Sequence, residues 1–152
     1  RTPWADPELK GALIGLTLGT DAPRLFRALV EATAFGSKAT AEEFNRQGLD
    51  VREVIAQGGI PEKNPFVMQV TADVLNMPIK TVRSNQAVAL GAAMFASVAS
   101  GVYSNIKEAQ AAMGSGYKRV YKPDLSNAAY YQVLYTKYLE TGEKLSSMLR
   151  NL

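Results

Sequence analysis

Neither cysteine nor histidine occurs anywhere in the 152 residues. The first absence excludes disulfides, thiolate nucleophiles and zinc–thiolate sites. The second removes the commonest general base and the commonest metal ligand. Any chemistry here rests on carboxylates, lysines, hydroxyls and backbone amides. Long hydrophobic runs are missing too: nothing approaches the roughly 18 apolar residues of a membrane span. Arg1-Thr2-Pro3-Trp4-Ala5-Asp6 lacks the apolar stretch of a signal peptide. There is no initiator methionine, as expected of a processed chain or of a piece of a longer one. Charge of one sign is only slightly in excess, with 17 Lys and Arg against 14 Asp and Glu, a net charge of +3. Arg24, Arg27, Lys38 and Arg46 alternate with Glu31, Glu42 and Glu43, as on a solvated helix face. That pattern is not the basic stripe of a nucleic-acid binder, so neither nucleic acid nor membrane is expected as a partner.

What is present suits one soluble globular domain over residues 1–152, with 47% hydrophobic and 20% charged residues. Arg1–Lys10 reads as a polar, extended lead-in. Ala12–Leu18 is apolar and too short for a typical helix, and is expected as a strand. Thr20 or Asp21 can cap a helix running from Asp21 to about Gln47, with Pro23 tolerated in its first turn and Gly48 as its stop. Val51 to Ala56 reads as a second strand running into Gln57-Gly58-Gly59. Asn64 caps and Pro65 opens a helix to Leu75. Ile79–Val82 is a third strand. Ser84 is expected to cap a helix over Gln86–Ser100, apolar nearly all round and so expected to lie buried against a sheet. Asn105 and Glu108 have the spacing of an N-cap and its third residue, for a short helix ending near Gly114. Tyr117–Tyr121 is a last short strand or an extended segment. A long helix over Ser126–Leu149 follows, with Tyr131, Leu134, Tyr135, Tyr138 and Leu145 on a core stripe. Strands alternating with helices give an α/β layer with parallel pairing between successive strands. Three core strands make a thin sheet, which suggests an incomplete one.

The richest stretch chemically is Ala56 to Gln69. A double glycine after a strand and before a helix bares the backbone, so that a flat ring or a phosphate can approach with helix N–H groups behind it. In open α/β sheets, ligands bind beyond the carboxyl ends of strands. A tight turn requiring positive φ is the competing reading for Gly58-Gly59, and N-cap duty alone accounts for Asn64. Ala89-Leu90-Gly91-Ala92-Ala93 offers small residues for close backbone packing. Neither G-x-x-x-x-G-K-[ST] nor a strand-borne G-x-G-x-x-G is present. The aspartates are spread singly, and Glu31 is the one acid in an otherwise apolar stretch of helix. No residue is assigned as a catalytic base or as a metal ligand.

Several segments resemble the FGGY family of carbohydrate kinases. Asp6-Pro7 with Lys10–Thr17 resembles the strand entering that family's C-terminal core, and Arg27–Phe35 its next helix. Gly58-Gly59 through Asn64 to Met68-Gln69 resembles the adenosine-binding segment, and Ala89–Ala93 the terminal G-A-A helix. Arg1-Thr2-Pro3, Thr20-Asp21-Ala22-Pro23, the loop Gly58–Pro65 and Ala109–Met113 resemble in particular the branch of the family that phosphorylates L-ribulose. The resemblance implies the C-terminal core of an actin-like, ribonuclease-H-like ATPase fold, with helices on the faces of an incomplete sheet and a long C-terminal helix. It implies a cytoplasmic enzyme transferring the ATP γ-phosphate to a sugar hydroxyl, with Mg²⁺ held through the phosphates. It places the base, the sugar contacts and the first phosphate-binding turn in a preceding lobe, so that this chain alone is expected to be inactive. By matched position, Gly58, Gly59 and Asn64 then form the adenosine end of the site. The alternative is a non-enzymatic α/β binding or assembly module, which would ignore ATP. With its neighbouring strands preceding Arg1, the Ala12–Leu18 strand would present an open apolar edge. The chain is therefore expected to self-associate as a homodimer.

Overall fold

The computed structural model describes residues 6–151. The first helix, α1 (Ala22–Arg46), starts where Asp21 accepts the Arg24 N–H, and Pro23 sits in its first turn. It ends at Gln47, and Gly48 follows at φ +86°, a conformation that carries no steric cost for glycine. Strand β1 (Val54–Ala56) leads into a one-turn helix, α2 (Gly59–Lys63), which the sequence pattern did not disclose. Asn64 and Pro65 then open α3 (Pro65–Leu75) as expected, and Asn76 closes it at φ 51°. Strand β2 (Ile79–Val82), α4 (Ala87–Ala99), α5 (Ile106–Met113), β3 (Tyr117–Tyr121) and α6 (Leu125–Arg150) complete the order. Asn105 caps α5 through the Glu108 N–H, and Asp124 caps α6 through the Ser126 and Asn127 N–H groups.

The sheet order is β1-β2-β3, with β1 parallel to β2 and β3 antiparallel to β2. Helix α3 lies between the sheet and the other long helices. On one side Met68 and Ala72 pack on Ile79 and Tyr121. On the other, Val70 and Val74 meet Phe35 of α1 and Tyr131 and Tyr135 of α6. The tyrosines at 131 and 135 are thus core, as their spacing indicates, with Phe35 and Tyr135 ring centres 5.7 Å apart. The opposite face of the sheet, at Ile55 and Val120, is exposed.

Five expectations are corrected. Ala12–Leu18 forms no strand: no described segment pairs with it, Gly15 turns the backbone to φ +72°, and Leu13, Ile14, Leu16 and Leu18 are exposed. Without a neighbour to take its N–H and C=O groups, an apolar run has no ladder to join. The parallel rule therefore holds for β1 and β2 alone. Helix α4 is not buried against a sheet; only Met94 is buried, while Val88 and Phe95 are 76% and 68% exposed. Its apolar composition is met among the described residues mainly by α5, including the Ser97 Oγ–Met113 Sδ contact at 3.7 Å. The cap of α4 is Gln86, whose N–H donates to Ser84 Oγ at 3.1 Å. Finally, Lys38 is not on a solvated face: it is buried and spans α1, α3 and α6.

Of the lead-in expected at Arg1–Lys10, residues 1–5 lie outside the described residues, as does the Arg1-Thr2-Pro3 match. Beyond them, Lys10 N–H donates to the Leu149 carbonyl at 3.3 Å, and Arg150 pairs with Asp6. That guanidinium holds the Asp6 carboxyl below the usual carboxylate range. No helix among the described residues is long and apolar enough to cross a membrane.

Candidate functional site

Parallel register sets Ala56 opposite Thr81, so β1 and β2 finish side by side. Beyond Ala56 the chain turns at Gly58, with φ 100° and ψ −171°. That region is essentially closed to any residue carrying a Cβ. Beyond Val82 the chain runs through Arg83, Ser84 and Asn85 into α4. This second exit is clipped to the start of β3: Arg83 N–H donates to the Gly116 carbonyl at 3.0 Å, and Ser84 N–H to Ser115 Oγ at 3.2 Å. Between the two exits lies a shallow, solvent-open cleft with about 20 Å³ of enclosed space. Gln57, Gly58, Pro61 and Glu62 form one wall, and Arg83, Ser84, Asn85 and Lys118 the other.

The three residues singled out in the sequence do not converge on this cleft. Gly58 lines it; Gly59 and Asn64 do not. Gly59 begins α2, and a Cβ built there would meet nothing within 4 Å, so its backbone is bare. Asn64 serves as the cap of α3: its Oδ1 accepts the Val67 N–H at 3.2 Å, and its own N–H donates to the Ile60 carbonyl at 2.9 Å. The N–H groups expected behind the glycine turn are accordingly fewer than the pattern suggests. Pro65 has none, and Asn64 takes that of Val67. Gly91, read as a close-packing position, has no atom within 4 Å of a built Cβ.

Sequence reasoning missed Arg83, Asn85 and Lys118. The signal for the first two was available, because a strand parallel to β1 must end beside it, and Arg83 directly follows that strand. Lys118 arrives through the antiparallel β3, which periodicity left open. The neighbouring cations are engaged. Lys80 pairs with Glu53 at 2.5 Å and lies over the Tyr117 ring at 5.1 Å; the Glu53 hydrogen bond raises its pKa. Arg119 donates to Tyr121 Oη at 3.1 Å. Among the described residues, Arg83 and Lys118 form no ion pair. No three acidic side chains converge among them either.

The carboxylates settle differently from their sequence positions. Glu31 is half-buried, accepting from Arg27 Nε at 2.8 Å and from Tyr131 Oη at 3.0 Å. The buried acid is Asp73, which accepts from Gln69 Nε2, the Asp124 N–H and Asn127 Nδ2 at 2.8, 2.8 and 3.0 Å. It ties α3 to the start of α6, which is a structural role.

Comparison with known proteins adds an independent line. The sequence profile of the FGGY family of carbohydrate kinases, C-terminal domain, matches residues 1–100. The chain is 45% identical over 148 residues to the ribulokinase of Vibrio parahaemolyticus, covering 97% of this chain and 26% of that protein. It is 46% identical over 144 residues to the ribulokinase of Bacillus licheniformis, covering 92% of this chain and 26% of that protein. The chain thus spans about a quarter of the length of the curated relatives it matches. Among solved structures, it aligns with the ligand-bound xylulose kinase of Lactobacillus acidophilus at a TM-score of 0.81 and 30% identity, covering 95% of this chain and 29% of that one. A kinase structure from Brucella ovis aligns at a TM-score of 0.86 and 22% identity, over 97% of this chain and 30% of that one, a likeness of fold.

Proposed function

Because this chain belongs to the FGGY family of carbohydrate kinases, we propose that it forms the nucleotide-binding part of an ATP-dependent sugar kinase. The observation that carries the reading is the bare backbone at Gly58 and Gly59, at the carboxyl end of a strand in a parallel pair. A purine or ribose needs such an approach, and a Cβ at either position narrows it. Gly58 fixes the turn, Gly59 presents open backbone, and Asn64 holds the start of α3 while its amide nitrogen remains available to a ligand. Phosphoryl transfer is largely positioning and charge stabilisation, so holding the adenosine end contributes orientation. Mg²⁺ held through the phosphates would supply charge neutralisation, and among the described residues no three carboxylates converge to hold it.

The acceptor we propose is the hydroxyl of L-ribulose, supported by relatives named ribulokinase at 45% and 46% identity. We assign neither the sugar contacts nor the catalytic base to these residues, and we place the enzyme in the cytoplasm. The chain also offers itself for dimerisation. Strand β1 is an edge strand, and Leu13, Ile14, Val88 and Phe95 are exposed apolar side chains. Sedimentation at micromolar concentration tests this: a concentration-dependent dimer is expected, and a monomer throughout refutes it.

The nucleotide reading is tested by titrating ADP into isotope-labelled chain. Saturable amide shifts at Gly58, Gly59 and Asn64 are expected, lost in Gly59→Val while its thermal unfolding is unchanged. Spectra indifferent to ADP would leave an assembly module in its place.

A further inference from the structure

Helix α6 is held at its two ends by different parts of the chain. Its first half is locked into the core. Asp73 takes the Asp124 N–H and the Asn127 amide, and Lys38 reaches Gln132. Tyr131 and Tyr135 donate to Glu31 and Glu42 of α1 at 3.0 and 2.9 Å. Tyr138, whose ring lies 5.3 Å from that of Phe35, is the last of these anchors. Beyond it, no hydrogen bond or ion pair among the described residues joins α6 to α1, α3 or the sheet.

This outer part of the helix also carries a weak point. Gly142 lies inside α6, where glycine is the poorest helix former after proline. A Cβ built there would meet nothing within 4 Å, so no close packing calls for the glycine. From Gly142 to Arg150 the helix runs for about two and a half turns. What reaches its far end is the lead-in. Lys10 N–H donates to the Leu149 carbonyl at 3.3 Å, one of the last carbonyls of α6 that lack an intrahelical donor. Asp6 accepts from Arg150 Nε at 3.2 Å, a contact spanning 144 positions of sequence.

We propose that the lead-in is a strap that decides whether the last turns of α6 are helical. While Asp6 and Lys10 are docked, the helix continues to Arg150. When they withdraw, the turns after Gly142 fray, and the anchors at Tyr131 and Tyr135 stop the fraying before it reaches α1 and α3. An exposed ion pair and one backbone hydrogen bond are each small contributions. Helix ends open locally at low free-energy cost. The two states are therefore close enough for the strap to choose between them. Leu145 and Leu149, half-buried in the docked state, are released in the frayed one.

The test is native-state hydrogen exchange on isotope-labelled chain. In Asp6→Ala, the amides of Leu145–Leu149 are expected to exchange about two- to five-fold faster, the effect of one exposed ion pair. Amides at Tyr131 and Tyr135 are expected to keep their rates, which also shows that the variant is folded. Arg150→Asp alone should open the same turns, and adding Asp6→Arg to it should restore protection by rebuilding the pair with its charges reversed. Gly142→Ala should slow exchange at Leu145–Leu149 even when Asp6 is alanine, because it removes the weak point. Rates at Leu145–Leu149 that neither Asp6→Ala nor Arg150→Asp changes would overturn the strap. Acceleration that reaches Tyr131 and Tyr135 equally would overturn it too, as would failure of the reversed pair to recover protection.

Discussion

Lys38 of α1 donates from Nζ to the Val74 carbonyl of α3, 3.1 Å away and out of water. The same ammonium bonds Gln132 Oε1 of α6 at 2.6 Å and lies 5.0 Å from the centre of the Tyr135 ring. One cation thus joins three helices at a place where the last carbonyls of α3 lack intrahelical donors. Its burial pushes the ammonium pKa down, an effect that the nearby Glu42 charge opposes. Lys38→Met keeps the apolar stem and removes the donor. We expect it to lower the unfolding free energy by about 1–3 kcal/mol, the cost of an orphaned buried acceptor. Urea denaturation measures it, and an unchanged midpoint would mean the joint carries no net stability.

Asp73 is the acceptor that holds the first turn of α6. Asp73→Ala leaves the Asp124 N–H and the Asn127 amide without their partner. A loss of about 2–4 kcal/mol is expected, since several donors to a buried charge are orphaned together. Hydrogen exchange should quicken first at residues 124–128. Uniform acceleration over the whole chain, with no preference for that turn, would contradict the anchor.

Tyr135 gives the chain an alkaline limit. Burial raises its phenol pKa, and the hydrogen bond to Glu42 Oε2 at 2.9 Å and the Glu42 charge add to the shift. Below about pH 10 both the native and the unfolded phenol keep the proton, and the contribution is fully present. Above it the unfolded chain releases a proton that the native chain retains, so stability falls as pH rises. Lys38, with its pKa lowered, works in the opposite sense in the window below the usual lysine value. Tyr135→Phe should therefore flatten the fall between pH 10 and 11.5 in urea titrations. An equally steep fall in that variant would place the titration elsewhere.

Asn64 has a cap role in hand and a ligand role in prospect, and two substitutions separate them. Asn64→Asp keeps the acceptor for the Val67 N–H and should leave stability within about 0.5 kcal/mol, whereas Asn64→Ala should cost about 1 kcal/mol. If the side-chain amide donates to the nucleotide, ADP affinity falls in both. Affinity that follows stability alone would reduce Asn64 to a cap.

Local chemistry made much of this fold legible. Asp21, Asn64 and Asn105 were readable as caps because a cap needs only N–H groups two or three residues onward. Gly48 and Ile79–Val82 were readable for the same reason, since turns and short apolar strands are written in a few adjacent residues. Gly58 and Gly59 were readable as bare backbone from their place after a strand.

Partnership was not legible, because it depends on residues distant in the chain. Ala12–Leu18 has the composition of a strand, but a strand exists only where a neighbour supplies the other half of the ladder. Helix α4 has the composition of a buried helix, yet burial requires something to cover it. Lys38 and Asp73 have the composition of a surface; Val74, Gln132, Asp124 and Asn127 arrived from other elements to satisfy them. The sequence by itself determined where most of the helices of this protein start and stop. Only the tertiary structure decided which of them pair, which polar groups are buried, and that Arg83 and Lys118 face Gly58 across one cleft. Capping acts over one turn of chain, whereas pairing and burial act through space.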